Sequence, residues 1–253
     1  MRVFAISDLH TDYEGNAAWV ASLPIDDFRN DVLIVAGDIT DSPTLFAHTL
    51  EQLVRRFAKV VFVPGNHDLW VARHGKPADS LWKFAEVQRI ALSCGACVGP
   101  WHRDGVTVIP LHGWYDGSFG TPDADLKACW ADFHTCRWPK GLDYPKVALR
   151  FLALNEPNLY PRAGTVISCS HFVPRIDAMP AARTPRGQWL HPVLGSTVLE
   201  AQLRRLGSSI HVYGHSHINC RITLDGVTYV NNALGYPSEG AISARALACI
   251  YEA

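Results

Sequence analysis

Nine residues of this 253-residue chain combine types and positions that point to chemistry: Asp8, His10, Asp38, Asn66, His67, Asp68, His171, His215 and His217. Each follows an apolar run. Asp8 and His10 come after "VFAIS", Asp38 after "VLIVAG", and Asn66, His67 and Asp68 after "VFVPG". His171 follows "VISCS", and His215 and His217 follow "HVYG". Carboxylates, an amide and imidazoles are oxygen and nitrogen donors, and without thiolates such a set suits divalent Mn, Fe, Zn, Co or Ni. Singly, each piece has an ordinary alternative: Asp8-x-His10 is also an Asx turn, and Gly37-Asp38 is also a turn between a helix and a strand. Five such exits in one chain argue for a shared site.

The elements that must position these residues are legible from periodicity. Residues 2–7, 31–37 and 59–65 are short, β-branched and bounded by Gly or Pro, as buried strands are. Between the last two, Ser42 can cap a helix with Pro43 at its first position, and Phe46, Leu50, Leu53, Val54 and Phe57 form one apolar face. Further helices are expected at 79–93, 145–156 and 196–206, and strands at 165–169, 209–213 and 245–251. Asp-Gly pairs within 103–113 and 220–232 mark hairpins. The order βαβαβα, followed by a mixed run, predicts a layered α/β fold with more than one sheet. In open sheets of this kind the carboxyl ends of strands face the ligand crevice. Residues 113–142 and 172–195 show no periodic pattern; loops of that length inside a compact domain are usually functional or disordered, and both are expected near the site.

The ordered elements "DLH" (8–10), "GD" (37–38), "GNHD" (65–68), "SH" (170–171) and "GHSH" (214–217) resemble the calcineurin-like metallophosphoesterase superfamily, whose pattern runs D-x-H, G-D, G-N-H-[DE], a lone His and G-H-x-H. The resemblance implies a single α/β/β/α sandwich of four layers over residues 1–253, with two mixed sheets flanked by helices and two divalent metal ions. By motif position, Asp8, His10 and His217 bind the first metal, Asn66, His171 and His215 bind the second, and Asp38 bridges both. A carboxylate bridge suits two metals that polarise a phosphoryl group and ionise a shared water as nucleophile. His67 is then left free to stabilise charge and protonate the leaving oxygen, with Asp68 expected to orient its ring and raise its pKa. Purple acid phosphatases carry a tyrosine three residues after the bridging aspartate. Here that position is Asp41, so no tyrosinate-bound ferric ion is expected.

The function implied is a phosphoesterase acting on a small-molecule phosphate ester. Monoester phosphatase and phosphodiesterase both remain open, as does a scaffold that has lost its chemistry. Other features carry less. Cys94 and Cys97 form a lone C-x-x-C without a second pair, and read as packed thiols. His112, after a strand, is a candidate for a place behind the ligands; Trp70, Trp114, Tyr115 and Phe172 are candidates for a pocket wall or for core. Arg175 is a candidate for phosphate contact or for a solvated loop. His48, His74, His134, His191 and His211 lack a supporting pattern. A net charge of −1 gives no basic field for nucleic acid, and no apolar stretch approaches the ~20 residues of a membrane span. Seven cysteines and an amino terminus that reads as a strand lead to the expectation of a cytoplasmic protein.

Overall fold

Strands that are apolar at every position must be covered on both faces, and this chain meets that requirement by stacking two sheets. The computed structural model describes residues 1–73, 78–181 and 184–253. In chain order its strands are β1 (Arg2–Ile6), β2 (Val32–Ala36), β3 (Lys59–Val63), β4 (Trp101–Arg103), β5 (Val106–Pro110), β6 (Thr165–Cys169), β7 (Ile210–Tyr213), β8 (Cys220–Leu224), β9 (Val227–Asn231) and β10 (Ala248–Glu252). The first sheet has the order β10-β1-β2-β3, with β10 antiparallel and the others parallel. The second has the order β4-β5-β6-β7-β9-β8, with antiparallel strands at both edges and a parallel centre.

Alternation along the strands divides the core in two. Val3, Ala5, Val32, Ile34, Ala36, Val61 and Val63 of the first sheet pack with Val106, Val108, Ile167, Cys169, Val212 and Val230 of the second, forming the layer between the sheets. Their neighbours, among them Phe4, Ile6, Leu33, Val35 and Phe62, face outward into helices. Those helices are α1 (Glu14–Ser22), α2 (Pro43–Val54), α3 (Ser80–Ser93), α4 (Ala124–Cys129), α5 (Asp132–Thr135), α6 (Tyr144–Asn155), α7 (Pro185–Trp189) and α8 (Thr197–Arg205). Two mixed sheets flanked by helices give the layered α/β fold expected from sequence. The caps are local and chemical: the Ser42 side chain accepts from the Leu45 N–H, with Pro43 in the first turn, and Asp79 accepts from Trp82.

Three elements have limits that the sequence did not mark, for physical reasons. Helix α1 has its place in the βαβαβα order, but its apolar face is weak and it buries only Asn16 and Val20, so no periodicity bounds it. The stretch 113–142 holds α4 and α5, of six and four residues, too short to show a period. Within 172–195, the five-residue α7 is likewise silent in the sequence. No described helix is long and apolar enough to cross a membrane.

Candidate metal centre

The polar residues leave their strands at sharp backbone reversals. Asp8, His10, Asp38, His215 and His217 all have positive φ, between 41° and 66°. Among the described residues only two other non-glycines share this, Asp104 and Asp225, and both sit in the Asp-Gly turns of the two hairpins. A non-glycine residue held there costs about 1–3 kcal/mol, and such strain gathers at functional sites. It turns each side chain back across the strand ends. The reversals also bring the two sheets together. His215 donates its N–H to Asp8, and the His171 ring donates from Nδ1 to the Ala36 carbonyl at 2.8 Å, each bond crossing from one sheet to the other. Approach this close requires glycine at Gly65 and Gly214, where a Cβ would strike the Asp38 and Asp8 carboxylates respectively.

The side chains converge on three overlapping clusters: Asp8 with His10 and His217, His10 with Asp38 and His67, and Asp38 with His171 and His215. His10 Nε2 lies 3.2 Å from His217 Nε2, which is itself 3.2 Å from Asp8 Oδ1. On the other side, Asn66 Oδ1 is 2.9 Å from both His171 Nε2 and His215 Nδ1, and these nitrogens are 3.2 Å apart. Asp38 Oδ2 stands 3.4 Å from His171 Nε2 and 3.9 Å from His67 Nε2, while its Oδ1 accepts the His67 backbone N–H at 2.8 Å. Metal–donor bonds of roughly 2.0–2.2 Å place neighbouring donors about 3 Å apart. The observed spacings match such a polyhedron edge, and the donor set fits divalent metals on both sides of Asp38.

What lies behind each ligand fixes which atom it presents. His171 Nδ1 and His215 Nε2 donate to the Ala36 and Val193 carbonyls, so the other ring nitrogen of each is the one turned to the centre. His217 Nδ1 meets Glu239 Oε2 at 2.6 Å, which leaves its Nε2 toward Asp8. The Asn66 amide donates to Asp132 Oδ1 at 2.8 Å, turning its carbonyl oxygen inward. Asp132 also accepts from the indole N–H groups of Trp70, at 2.8 Å, and Trp130, at 2.9 Å. One buried carboxylate thereby ties together a candidate ligand, the indole stacked on His67 and the indole packed against His215.

The electrostatics follow from burial and neighbours. Burial opposes charge on Asp8 and Asp38. Even so, His217 beside the first, and His171 and His67 beside the second, hold both carboxyls below the usual range. Burial likewise opposes charge on His171 and His217, and the facing carboxylates outweigh it: Asp38 lifts His171 to about 9, and Asp8 with Glu239 lifts His217 to about 10. Metal uptake by such groups displaces protons and is favoured as pH rises.

Asp68 corrects an expectation. Each of its oxygens accepts two backbone N–H groups, Oδ2 those of Asp38 and Gly65, and Oδ1 those of Ile39 and Thr40. The carboxylate clamps the β2 and β3 exit loops to one another instead of orienting the His67 ring. The His67 pKa is not raised either: burial pushes it down to about 3 against the pull of Asp38. The ring stacks on Trp70, with centroids 3.5 Å apart, and its Nε2 meets the Tyr236 hydroxyl at 3.3 Å. Those two aromatics, and not Asp68, set its orientation.

The remaining candidates divide clearly. Phe172 packs on His171 and His215, whereas Trp114 and Tyr115 are core. His112 bonds through its backbone to Asn155, its ring edge-on to Phe84 and its pKa pushed down to about 4 by burial, with no contact to a candidate ligand among the described residues. Arg175 is bound up with Asp177, Glu200 and Asp225 on the surface. His211 is buried between the hydroxyls of Ser168 and Ser170. His74 lies outside the described residues, and all seven cysteines are free thiols. Sequence reasoning missed Asp132, Glu239, Tyr236 and Trp130. Asp132 sits in a stretch without period, and Tyr236 and Glu239 follow β9 as "GYPSE", which has the look of any turn.

Strand-end carboxylates and imidazoles, spaced as metal donors around a shared aspartate, define a metal-dependent phosphoesterase. Residues 1–219 match the family model for calcineurin-like phosphoesterases, and the chain belongs to that family, a hydrolase acting on phosphate esters. The [acyl-carrier-protein] phosphodiesterase PptH of Mycobacterium tuberculosis is 30% identical over 265 aligned positions, covering 94% of this chain and 78% of PptH. The crystal structure of the phosphopantetheinyl hydrolase PptH from Mycobacterium tuberculosis superposes with a TM-score of 0.78 at 25% identity, covering 95% of this chain and 91% of that one. A further solved structure, at 16% identity and a TM-score of 0.51, covers 94% of this chain and 92% of its own, and shares the fold.

Proposed function

We propose that this protein is a two-metal phosphodiesterase that cleaves a phosphopantetheinyl group from a carrier protein. The observation that favours a diester over a monoester is the shape of the space over Asp38. A cavity of about 220 Å³ bordered by Asp38, Asn66, His215 and His217 has a neighbouring cavity on each of two sides. It shares His67 and Tyr236 with one of about 250 Å³. It shares Leu190, Leu194 and Ser216 with another of about 1010 Å³. A monoester needs one exit for one organic arm; a diester needs two. PptH is named for both an acyl-carrier-protein and a phosphopantetheinyl group, and the two-ended site has room for one arm of each kind. The substrate is then protein-linked rather than the small molecule expected from the sequence.

Asp8, His10 and His217 would hold one metal and Asn66, His171 and His215 the other, with Asp38 between them. Bound there, divalent metals supply a polarised phosphoryl group and a water ionised near neutral pH. The chain's own residues do the rest. Glu239, Asp132 and the Ala36 and Val193 carbonyls keep the donor atoms aimed. His67, outside the ligand set, stands at the cavity edge beside Tyr236, within reach of an ester oxygen. An anionic phosphodiester set against its Nε2 raises the affinity of that nitrogen for a proton, which the ring then gives to the leaving oxygen. The pairing of β10 with β1 supports reading residues 1–253 as a single domain. Free thiols agree with a cytoplasmic setting.

The test is intact-mass spectrometry of a phosphopantetheinylated carrier protein incubated with enzyme reloaded with Mn, Fe, Zn, Co or Ni. The expected product is carrier protein that has lost the phosphopantetheinyl mass. Hydrolysis of p-nitrophenyl phosphate with no action on any diester would contradict the proposal.

A further inference from the structure

The cavity of about 1010 Å³ has no part in the metal chemistry, yet it shares Leu190, Leu194 and Ser216 with the cavity over Asp38. Its walls are mainly aliphatic, with Ile176, Met179 and Ile242 along its length and Leu190, Leu194 and Ser216 where it joins the cavity over Asp38. Its volume of about 1010 Å³ is at the upper end of sites that enclose small organic ligands, typically about 300–1,000 Å³. The opposite cavity differs in both size and chemistry. It holds about 250 Å³ and is bordered by Asp12, Asp41, Arg73 and tyrosines, a polar setting suited to the backbone of a protein segment.

We infer that the groove at Leu190, Leu194 and Ile242 is the binding site for the pantetheine arm of the substrate, and that it selects diesters carrying a long neutral arm. This rests on the diesterase reading given above. Pantetheine is uncharged, with methyl groups and methylenes interrupted by two amides and ending in a thiol. Aliphatic walls stabilise its hydrocarbon parts by taking methyl and methylene groups out of water, and the width of the groove leaves the amides in contact with water. Ser216, between the two His-bearing positions of "GHSH", stands where phosphate ends and arm begins. No bond beyond the phosphoester is made or broken in the groove, so its contribution is to recognition alone.

The experiment uses the metal-loaded full chain and two substrates with the same leaving group: pantetheine 4′-(p-nitrophenyl) phosphate and methyl p-nitrophenyl phosphate. Wild type should prefer the first in kcat/KM by about tenfold or more. Ile242→Arg places a charge on an exposed wall position, and Leu190→Arg places one at the junction, on a side chain partly buried against the core, so its folding is checked by thermal melting. Both should reduce the preference several-fold, with KM for the pantetheine diester rising more than kcat falls. An unchanged ratio in both variants, with metal content intact, would overturn the inference while leaving the diesterase reading in place. So would a ratio that falls only with Tyr13→Arg, at the opposite cavity, since the arm would then lie at the other end. Hydrolysis of neither diester would overturn the diesterase reading itself.

Discussion

His171 and Asp132 both act on Asn66, and they do so from different kinds of ground. His171 stands just beyond β6 and is fixed by the sheet: its ring reaches Asn66 Oδ1 at 2.9 Å because β6 lies where β5 and β7 hold it, and because Ala36 accepts its other nitrogen. Asp132 begins a four-residue helix in a long loop, and it holds the Asn66 amide from behind at 2.8 Å. The strand exits present donor atoms from a scaffold buried on both faces. The loops aim and surround them through a handful of side-chain bonds. Loss of a strand-exit group should therefore remove chemistry, and loss of a loop group should loosen it.

The largest effect expected is at His67, a strand-exit residue outside the proposed ligand set. Removing a general acid costs about 10²–10⁴-fold in rate, so His67→Ala should lose that much on diesters with an alkyl leaving group. On p-nitrophenyl diesters, whose leaving group departs unaided, the loss should be clearly smaller. The measurement is kcat/KM across leaving groups of rising pKa, with metal content followed in parallel. A flat wild-type to mutant ratio would assign His67 to charge stabilisation rather than proton donation.

Smaller effects are expected in the loops, and two residues sharpen the contrast. Replacing a group that orients a metal ligand commonly lowers metal affinity about 10–100-fold. Asp132→Ala frees the Asn66 amide and two indoles at once and belongs near the top of that range. Glu239→Gln keeps a carbonyl acceptor for His217 Nδ1 and belongs near the bottom. Competition with a chelator separates the two. If Asp132→Ala bound metal as well as wild type, the loop would be a cover for the site and not a support for it.

That contrast also explains what could be read from the sequence. A strand exit announces itself twice, by the apolar run before it and by the polar residue that ends the run, so Asp8, Asp38, Asn66, His171 and His215 stood out together, as five exits in one chain. The fold followed from the same runs, because a strand buried on both faces is apolar throughout. Asp132 and Glu239 are recognisable only by what they touch, and both partners are far away in sequence, at Asn66 and His217. Asp68 misled for the opposite reason. Its place beside His67 suggested a partner for the ring, while the buried N–H groups of four exit-loop residues had the stronger claim on it.

The smallest effect concerns the scaffold alone. Burial pushes His211 down to about 3, against about 6.5 for a free histidine. Between those values the unfolded chain binds a proton that the folded chain does not, so stability falls as pH falls below about 6.5, and the loss is complete below the folded value. From pH 7 to pH 5 this ring should cost about 2 kcal/mol. Urea unfolding of His211→Asn should show a shallower decline over that interval; parallel declines would mean that other groups govern acid sensitivity.

The central claim is that strand-end donors on both sides of Asp38 form two metal sites that share its carboxylate. Elemental analysis of protein stripped of metal, reloaded with Mn or Zn and freed of excess tests this most directly. Wild type should retain two metals per chain, and Asp38→Ala should retain less than one, because both sites lose a donor together. One metal per chain in fully active wild-type protein, or a single metal held undiminished by Asp38→Ala, would contradict it.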